Sequence, residues 1–299
     1  MVNKPYWLKI KLEYNEKFHD VKRILKEKKL YTVCEEAKCP NINECWSHGT
    51  ATIMILGDTC TRGCKFCAVK TGNPKGWVDP LEPLHVVETI KHLKLKYVVL
   101  TMVDRDDLLD GGAFHVYRTV LEIRKNFPDI KIETLVGDFQ GNKNSISLIA
   151  NSSIDVFAHN IETVERLTPI VRDPRASYKQ SLFVLEYAKK VNPKILTKSS
   201  IMVGLGETEE EVIQTMKNLR NVGVDILTIG QYLQPTRRHL NVVEYVPPYK
   251  FKWYRDIGLQ IGFKEVFSGP LVRSSYRAEK VFYGEVGSIK IANNLWIYN

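Results

Sequence analysis

Ile195-Leu196-Thr197-Lys198-Ser199-Ser200-Ile201-Met202-Val203 runs through Gly204-Leu205-Gly206-Glu207 into Thr208-Glu209-Glu210-Glu211. The first stretch is a β-branched, largely apolar run of strand character, the second a turn and the third a helix start. Thr208 and Glu211 form a capping box, in which each side chain satisfies a free backbone N–H of the first turn. The same unit recurs along the chain. Strand-like runs fall at 51–56, 97–103, 130–136, 154–159, 195–203 and 225–232, and helical periodicity appears between them at 85–95, 115–126, 178–190 and 208–221.

Strands joined through helical crossovers pair in parallel. Six such units predict an α/β fold whose parallel sheet is either curled into a partial (βα)6 barrel or laid open as a doubly wound sheet; six is short of a closed eight-stranded barrel. We take the partial barrel, residues 51–263, as the expected fold. The flanks 1–50 and 264–299 lack the repeat and are expected to pack across the sheet's ends as extensions of one compact unit. A chain of 299 residues that is 44% hydrophobic can bury one such core. In either architecture, chemistry belongs at the carboxyl ends of the strands.

Residues 1–7 lack the apolar core of a signal peptide, and no stretch is long and apolar enough to span a bilayer. The expected setting is the cytoplasm, or an organelle lumen in a eukaryote, where thiols stay reduced and available to metals. The net charge of +9 raises the question of an acidic partner. Lys and Arg are scattered, however, and the densest run, 22–29, reads as a solvated helix face. With no aromatic-interleaved basic motif, neither nucleic acid nor membrane is an expected partner.

All six cysteines fall between Cys34 and Cys67. Cys60-Thr61-Arg62-Gly63-Cys64-Lys65-Phe66-Cys67 places three thiols directly after the first strand. Three thiolates suit a [4Fe–4S] cube with its fourth iron open, whereas structural zinc usually takes four ligands in paired C-x2-C motifs. The second triplet, Cys34-x4-Cys39-x5-Cys45, again leaves a cluster one ligand short.

Cys60-x3-Cys64-x2-Cys67, with Phe66 before the last cysteine, resembles the signature of the radical S-adenosylmethionine (SAM) superfamily. The likeness implies that the open iron chelates SAM and that the cluster cleaves it to a 5′-deoxyadenosyl radical. Cys34, Cys39 and Cys45, together with Arg273-Ser274-Ser275-Tyr276, resemble the auxiliary-cluster motifs of the lipoyl synthase family. That resemblance implies a second [4Fe–4S] cluster whose unusual fourth ligand is a serine, which we assign to Ser275 with Ser274 as the alternative. It extends over much of the chain, through segments such as 103–112, 159–164, 202–208, 230–236 and 268–270. Met102, Leu109, Gly137 and Ser200 depart from the family pattern, which has serine, proline, proline and glycine there.

The resemblance implies sulfurtransferase activity: two sulfur atoms enter an octanoyl chain held on a lysine of a lipoyl carrier domain, with the auxiliary cluster as sulfur source. Two SAM molecules and an electron donor are implied as well. Lys198 sits in an apolar run where alternation leaves its direction open; the resemblance points it toward the SAM carboxylate or substrate. Asn160 and Glu162, just past the fourth strand, hold the rim position expected of groups that bind ribose or the methionyl amine. Thr101 and Asp104, at the end of the second strand, and Gln231, at the end of the sixth, are further candidates, with Phe66 beside the cluster. His159 is open to reading as a ligand or as a satisfied buried histidine. Rival readings are another sulfur-inserting radical enzyme, similar to biotin synthase or a tRNA methylthiotransferase, an iron–sulfur electron carrier, and a zinc-stabilised binding module.

Overall fold

A computed structural model describes residues 4–10, 15–48 and 51–275. Its strands are β1 (Tyr31–Thr32), β2 (Thr52–Ile55), β3 (Thr59–Cys60), β4 (Lys70–Thr71), β5 (Tyr97–Met102), β6 (Lys131–Leu135), β7 (Val156–Ala158), β8 (Leu196–Val203), β9 (Ile226–Gln231) and β10 (Glu265–Gly269). The α-helices are α1 (Glu16–Glu27), α2 (Val33–Glu36), α3 (Ile42–Ser47), α4 (Glu82–Leu93), α5 (Ala113–Asn126), α6 (Lys143–Ala150), α7 (Thr168–Val171), α8 (Tyr178–Val191), α9 (Glu209–Asn221) and α10 (Pro248–Ile261).

Eight strands make one sheet in the order β1-β2-β5-β6-β7-β8-β9-β10. Every neighbouring pair is parallel except the antiparallel β1–β2 edge. The edge strands β1 and β10 do not pair, so the barrel is open. Strands β2, β7 and β9 are buried at every residue, as expected where helices or cavity walls cover both faces of a parallel sheet. The six predicted runs all contain their strands. Helix α9 carries the predicted capping box: Thr208 Oγ1 accepts the Glu211 N–H at 3.3 Å, and the Glu211 carboxylate accepts the Thr208 N–H at 2.8 Å.

The expected boundary at 263/264 is corrected. Residues 265–269 form β10, a seventh parallel strand in register with β9 from Glu265↔Ile226 to Gly269↔Gly230, so the sheet continues past the predicted repeat. The N-terminal flank likewise contributes β1 to the opposite edge. Helix α1 buries Phe18, Val21, Ile24 and Leu25, and the fully buried Trp46 of α3 packs on Phe18 with ring centroids 5.3 Å apart. This apolar seam joins the cysteine-bearing flank to the core of the sheet's first half. Tyr276 and the rest of the expected C-terminal extension lie outside the described residues.

Candidate functional site

At the carboxyl end of the sheet a cavity of about 570 Å³ is walled by residues at or beyond the ends of β2, β5, β6, β7, β8 and β9. All six cysteines line it, with Ser274 and Ser275. The two triplets, separate in sequence, thus face one space. Strands β3 and β4 tie together the ends of the loop that bears Cys60, Cys64 and Cys67, and the Gly72 N–H returns to the Cys60 carbonyl at 2.9 Å.

Arg62, inside the first triplet, fixes this loop to the sheet. Its buried guanidinium donates to both oxygens of Asp138 at 2.7 Å and to those of Asp106 at 2.8 and 2.9 Å. Asp173 accepts the Gly63 N–H at 2.8 Å, and Arg175 bonds Asp173 and the Thr61 carbonyl. Bidentate guanidinium–carboxylate pairs of this kind set orientation as well as distance. Three loops distant in sequence therefore hold the cysteine loop in one shape.

The thiol environments fit an iron–sulfur centre. Burial pushes Cys60 and Cys64 up to about 11 and Cys67 up to about 12, so only a cation at the site would keep them as thiolates. Backbone amides already point at the sulfurs: Arg62 N–H lies 3.4 Å from Cys60 Sγ, Asp173 N–H lies 3.3 Å from Cys64 Sγ, and the Val69 amide bonds Cys67. Such donors stabilise sulfur-borne negative charge and tune clusters. Among the described residues, no three His, Cys, Asp or Glu side chains converge on a single-ion position. A cube gives each thiolate its own iron, so its ligands need only face a common space.

The second triplet is built on α2, the following turn and α3. Burial, then the neighbouring Cys39, pushes Cys34 up to about 12, while the Thr52 amide bonds its sulfur. Burial also raises Cys39, opposed by Arg273 and the Asn41 amide. The C-terminal segment reaches this triplet by two links. Asn41 Nδ2 donates to the Leu271 carbonyl at 2.7 Å, and Thr52 Oγ1 donates to Ser275 Oγ at 2.9 Å. Gly230, at the end of β9, lets the segment pass, since a Cβ there would lie 2.1 Å from the Val272 carbonyl oxygen.

Phe66, Thr101, Asn160 and Glu162 line the cavity. Glu162 has φ of 70°, an uncommon backbone for a residue with a side chain. Its N–H donates to the Ser200 carbonyl at 3.0 Å and its carbonyl accepts the Met202 N–H at 2.8 Å, which holds the turn against β8. Burial raises the Glu162 carboxyl, while Arg172 and a bond from Asn160 oppose the rise.

One expected contact is corrected, and a second finds hydrogen-bond partners within the fold. Lys198 does not line the cavity; its buried Nζ sits 2.8 and 3.0 Å from the Glu133 carboxylate oxygens, and Tyr97 donates to that carboxylate at 2.6 Å. A buried ammonium needs a partner, and this one finds it on β6, two strands away. Gln231 borders the cavity, but its side-chain amide is already satisfied. It donates to the Val203, Tyr232 and Glu244 carbonyls and accepts the Val246 N–H, pinning the loop after β9. Lys198→Met should therefore destabilise the fold by about 3–5 kcal/mol by stranding Glu133, with SAM affinity unchanged. Thermal unfolding and anaerobic SAM titration check this; weaker SAM binding at full stability would restore the original expectation.

His159 is a satisfied buried histidine: Nδ1 bonds the Val136 carbonyl and Nε2 bonds Ser181 Oγ, each at 2.9 Å. Burial and the nearby Arg172 hold it down to about 4. Sequence reasoning missed Arg62, Arg172, Asp138 and Asp173. Arg62 lies inside the quoted motif; the others carry no local signal beyond standing after a strand or a short helix. Asp104 is a cavity carboxyl raised to about 6, chiefly by burial and against the pull of Arg62. Gly137 admits it, because a Cβ there would lie 2.3 Å from Asp104 Oδ1. Met102 and Ser200 also line the cavity, while Leu109 is fully exposed.

A model of the Radical SAM superfamily matches residues 54–219. Lipoyl synthase of Francisella philomiragia subsp. philomiragia is 59% identical over 281 residues, covering 94% of this chain and 86% of that protein. Lipoyl synthase of Thermus thermophilus is 58% identical over 280 residues, covering 94% and 87%. The crystal structure of methylornithine synthase (PylB) overlays with a TM-score of 0.53 at 14% identity, covering 88% of this chain and 85% of that one. The FeFe-hydrogenase maturase HydG from Carboxydothermus hydrogenoformans gives 0.54 at 14%, covering 88% and 68%. Such distant likeness bears on the fold alone, whereas the family match and the close relatives bear on identity: the chain belongs to the radical SAM superfamily and, within it, to the lipoyl synthase family.

Proposed function

We propose that this chain inserts two sulfur atoms into an octanoyl group carried on a lysine of a lipoyl carrier domain, completing the lipoyl group. The observation that carries the reading is the single cavity onto which both cysteine triplets and Ser275 open. Membership of the superfamily brings a [4Fe–4S] cluster and SAM, which Cys60, Cys64 and Cys67 would hold; when bound, the pair supplies a 5′-deoxyadenosyl radical able to take hydrogen from unactivated carbon. A second [4Fe–4S] cluster, held by Cys34, Cys39, Cys45 and Ser275, is the proposed sulfur source.

The chain's own residues orient and exclude. Arg62 and its carboxylates fix the cluster loop, and Phe66 stands beside the last thiol. Thr101, Asn160 and Glu162 are placed to hold ribose or the methionyl amine. Met54, Met102, Leu135 and Met202 provide an apolar wall that suits an octanoyl chain and keeps water from the reacting carbons.

The proposed partners are the octanoylated carrier and an electron donor, with neither nucleic acid nor membrane. The setting is the cytoplasm, or an organelle lumen in a eukaryote. Among the described residues, no helix is long and apolar enough to cross a membrane.

Ser275 tests the auxiliary site. A hydroxyl oxygen is a harder and weaker iron ligand than a thiolate, so the iron it holds is the easiest to release when sulfur leaves. Ser275→Cys should keep the cluster yet lose most sulfur insertion. Ser275→Ala should weaken cluster retention, and Ser274→Ala should do less of either. Iron content and lipoyl yield, measured anaerobically, decide it: normal turnover by Ser275→Cys with an intact cluster spectrum removes Ser275 from this role.

A further inference from the structure

One residue of the sheet touches two groups that come to the second triplet from opposite ends of the chain. Thr52, the first residue of β2, is buried and lines the cavity. Its backbone amide bonds Cys34 Sγ, and its Oγ1 donates to Ser275 Oγ at 2.9 Å. The strand that carries it is fixed on both sides, by Thr52↔Val99 to β5 and by Ile53↔Thr32 to β1. Thr32 in turn caps α2, the helix that bears Cys34, by accepting the Glu35 N–H at 3.3 Å. Ser274 lines the same cavity, but among the described residues no group bonds its hydroxyl.

We propose that Thr52 is the positioning residue for the serine ligand of the auxiliary cluster: its hydroxyl sets the Ser275 side chain so that the oxygen faces the cluster's space, and this selects Ser275 over Ser274. The inference rests on the auxiliary cluster proposed above. A serine oxygen carries two lone pairs and one proton. The Thr52 hydroxyl takes one lone pair from the β2 side and leaves the rest of the oxygen for iron. The other link between this segment and the triplet, Asn41 on the Leu271 carbonyl, sets the path of the backbone but not the serine rotamer. An oxygen ligand binds iron more weakly than a thiolate, so its hold depends more on placement. A hydroxyl on a paired strand supplies that placement.

The test reads iron release, not turnover. In the full chain with Cys60, Cys64 and Cys67 replaced by alanine, only the auxiliary site can hold a cluster. Limiting ferricyanide then converts that cluster to a three-iron form, whose EPR signal times the loss of the serine-held iron. Thr52→Val keeps the strand preference and the amide on Cys34 but removes the hydroxyl; it should speed this loss about fivefold, the worth of one neutral hydrogen bond. Thr52→Ser restores a hydroxyl and should return the rate to that of the background protein. Thr52→Ala should match Thr52→Val. Ser275→Ala should be faster than either, and adding Thr52→Val to it should change nothing further, because Thr52 acts through that oxygen. An unchanged rate in Thr52→Val would overturn the proposal. So would a fully additive double variant, no recovery in Thr52→Ser, or a Thr52→Ala rate unlike that of Thr52→Val, each of which ascribes the effect to strand packing. If the background protein holds no four-iron cluster, or Ser275→Ala releases iron no faster than it does, the auxiliary site itself falls, and the role of Thr52 with it.

Discussion

Replacing Cys60, Cys64 and Cys67 together by alanine should reduce SAM cleavage to background, whereas replacing Cys34, Cys39 and Cys45 should leave cleavage and stop sulfur insertion. The two triplets share a cavity but stand on separate supports. The first is gripped by Arg62, Asp173 and the loop 236–241; the second is gripped by α1, Asn41 and the Thr52–Ser275 link. Loss of one should therefore spare the other's geometry. Quantifying 5′-deoxyadenosine and lipoyl product in parallel separates the roles. Lipoyl product from the second variant would remove the auxiliary-cluster assignment.

Arg62→Ala should destabilise the fold by about 3–5 kcal/mol, because it strands the Asp138 and Asp106 carboxylates that share one guanidinium. Burial raises Asp138, yet the bonds and charge of Arg62 outweigh it and bring the carboxyl down to about 2 from an ordinary 3.8. A depressed carboxylate contributes stability that is present above its ordinary value and is lost as the pH falls toward about 2. Without Arg62 that contribution is already gone, so the gap in stability between the variant and the unaltered protein should be widest near neutral pH and should narrow as the pH falls toward about 2. Arg62→Lys keeps the charge but cannot engage two carboxylates in bidentate fashion, and should recover only part of the loss. Thermal unfolding across acidic pH, with iron content at the first site, checks this. An Arg62→Ala variant with unchanged melting and full iron content would show that the clamp is idle.

Much of this was legible because it rests on local rules. The six strand runs alternate with helices whose caps lie in sequence, as at Thr208 and Glu211, and the cysteines carry their spacing on the surface of the text. Strand β10 was not legible, since Glu265-Val266-Phe267-Ser268-Gly269 is a short, mixed run and α10 before it begins at a proline pair and is rich in aromatics rather than aliphatics. Lys198 was misread for a different reason. Its partner Glu133 is distant in sequence, and only the parallel register of β6, β7 and β8 brings the two together. Gln231 shows the same limit: a polar side chain at a strand end suits either a ligand or a loop, and the loop at 244–246 claims it.

The most direct test of the central claim is isotopic. The protein is assembled with heavy-sulfur sulfide, freed of excess, and mixed anaerobically with dithionite, SAM and an octanoylated carrier domain of natural isotopic composition. The carrier is then read by mass spectrometry. We predict a lipoyl group carrying two heavy sulfur atoms, formed in step with 5′-deoxyadenosine. Cleavage of SAM that leaves the octanoyl chain unchanged, or product bearing light sulfur alone, would contradict the account.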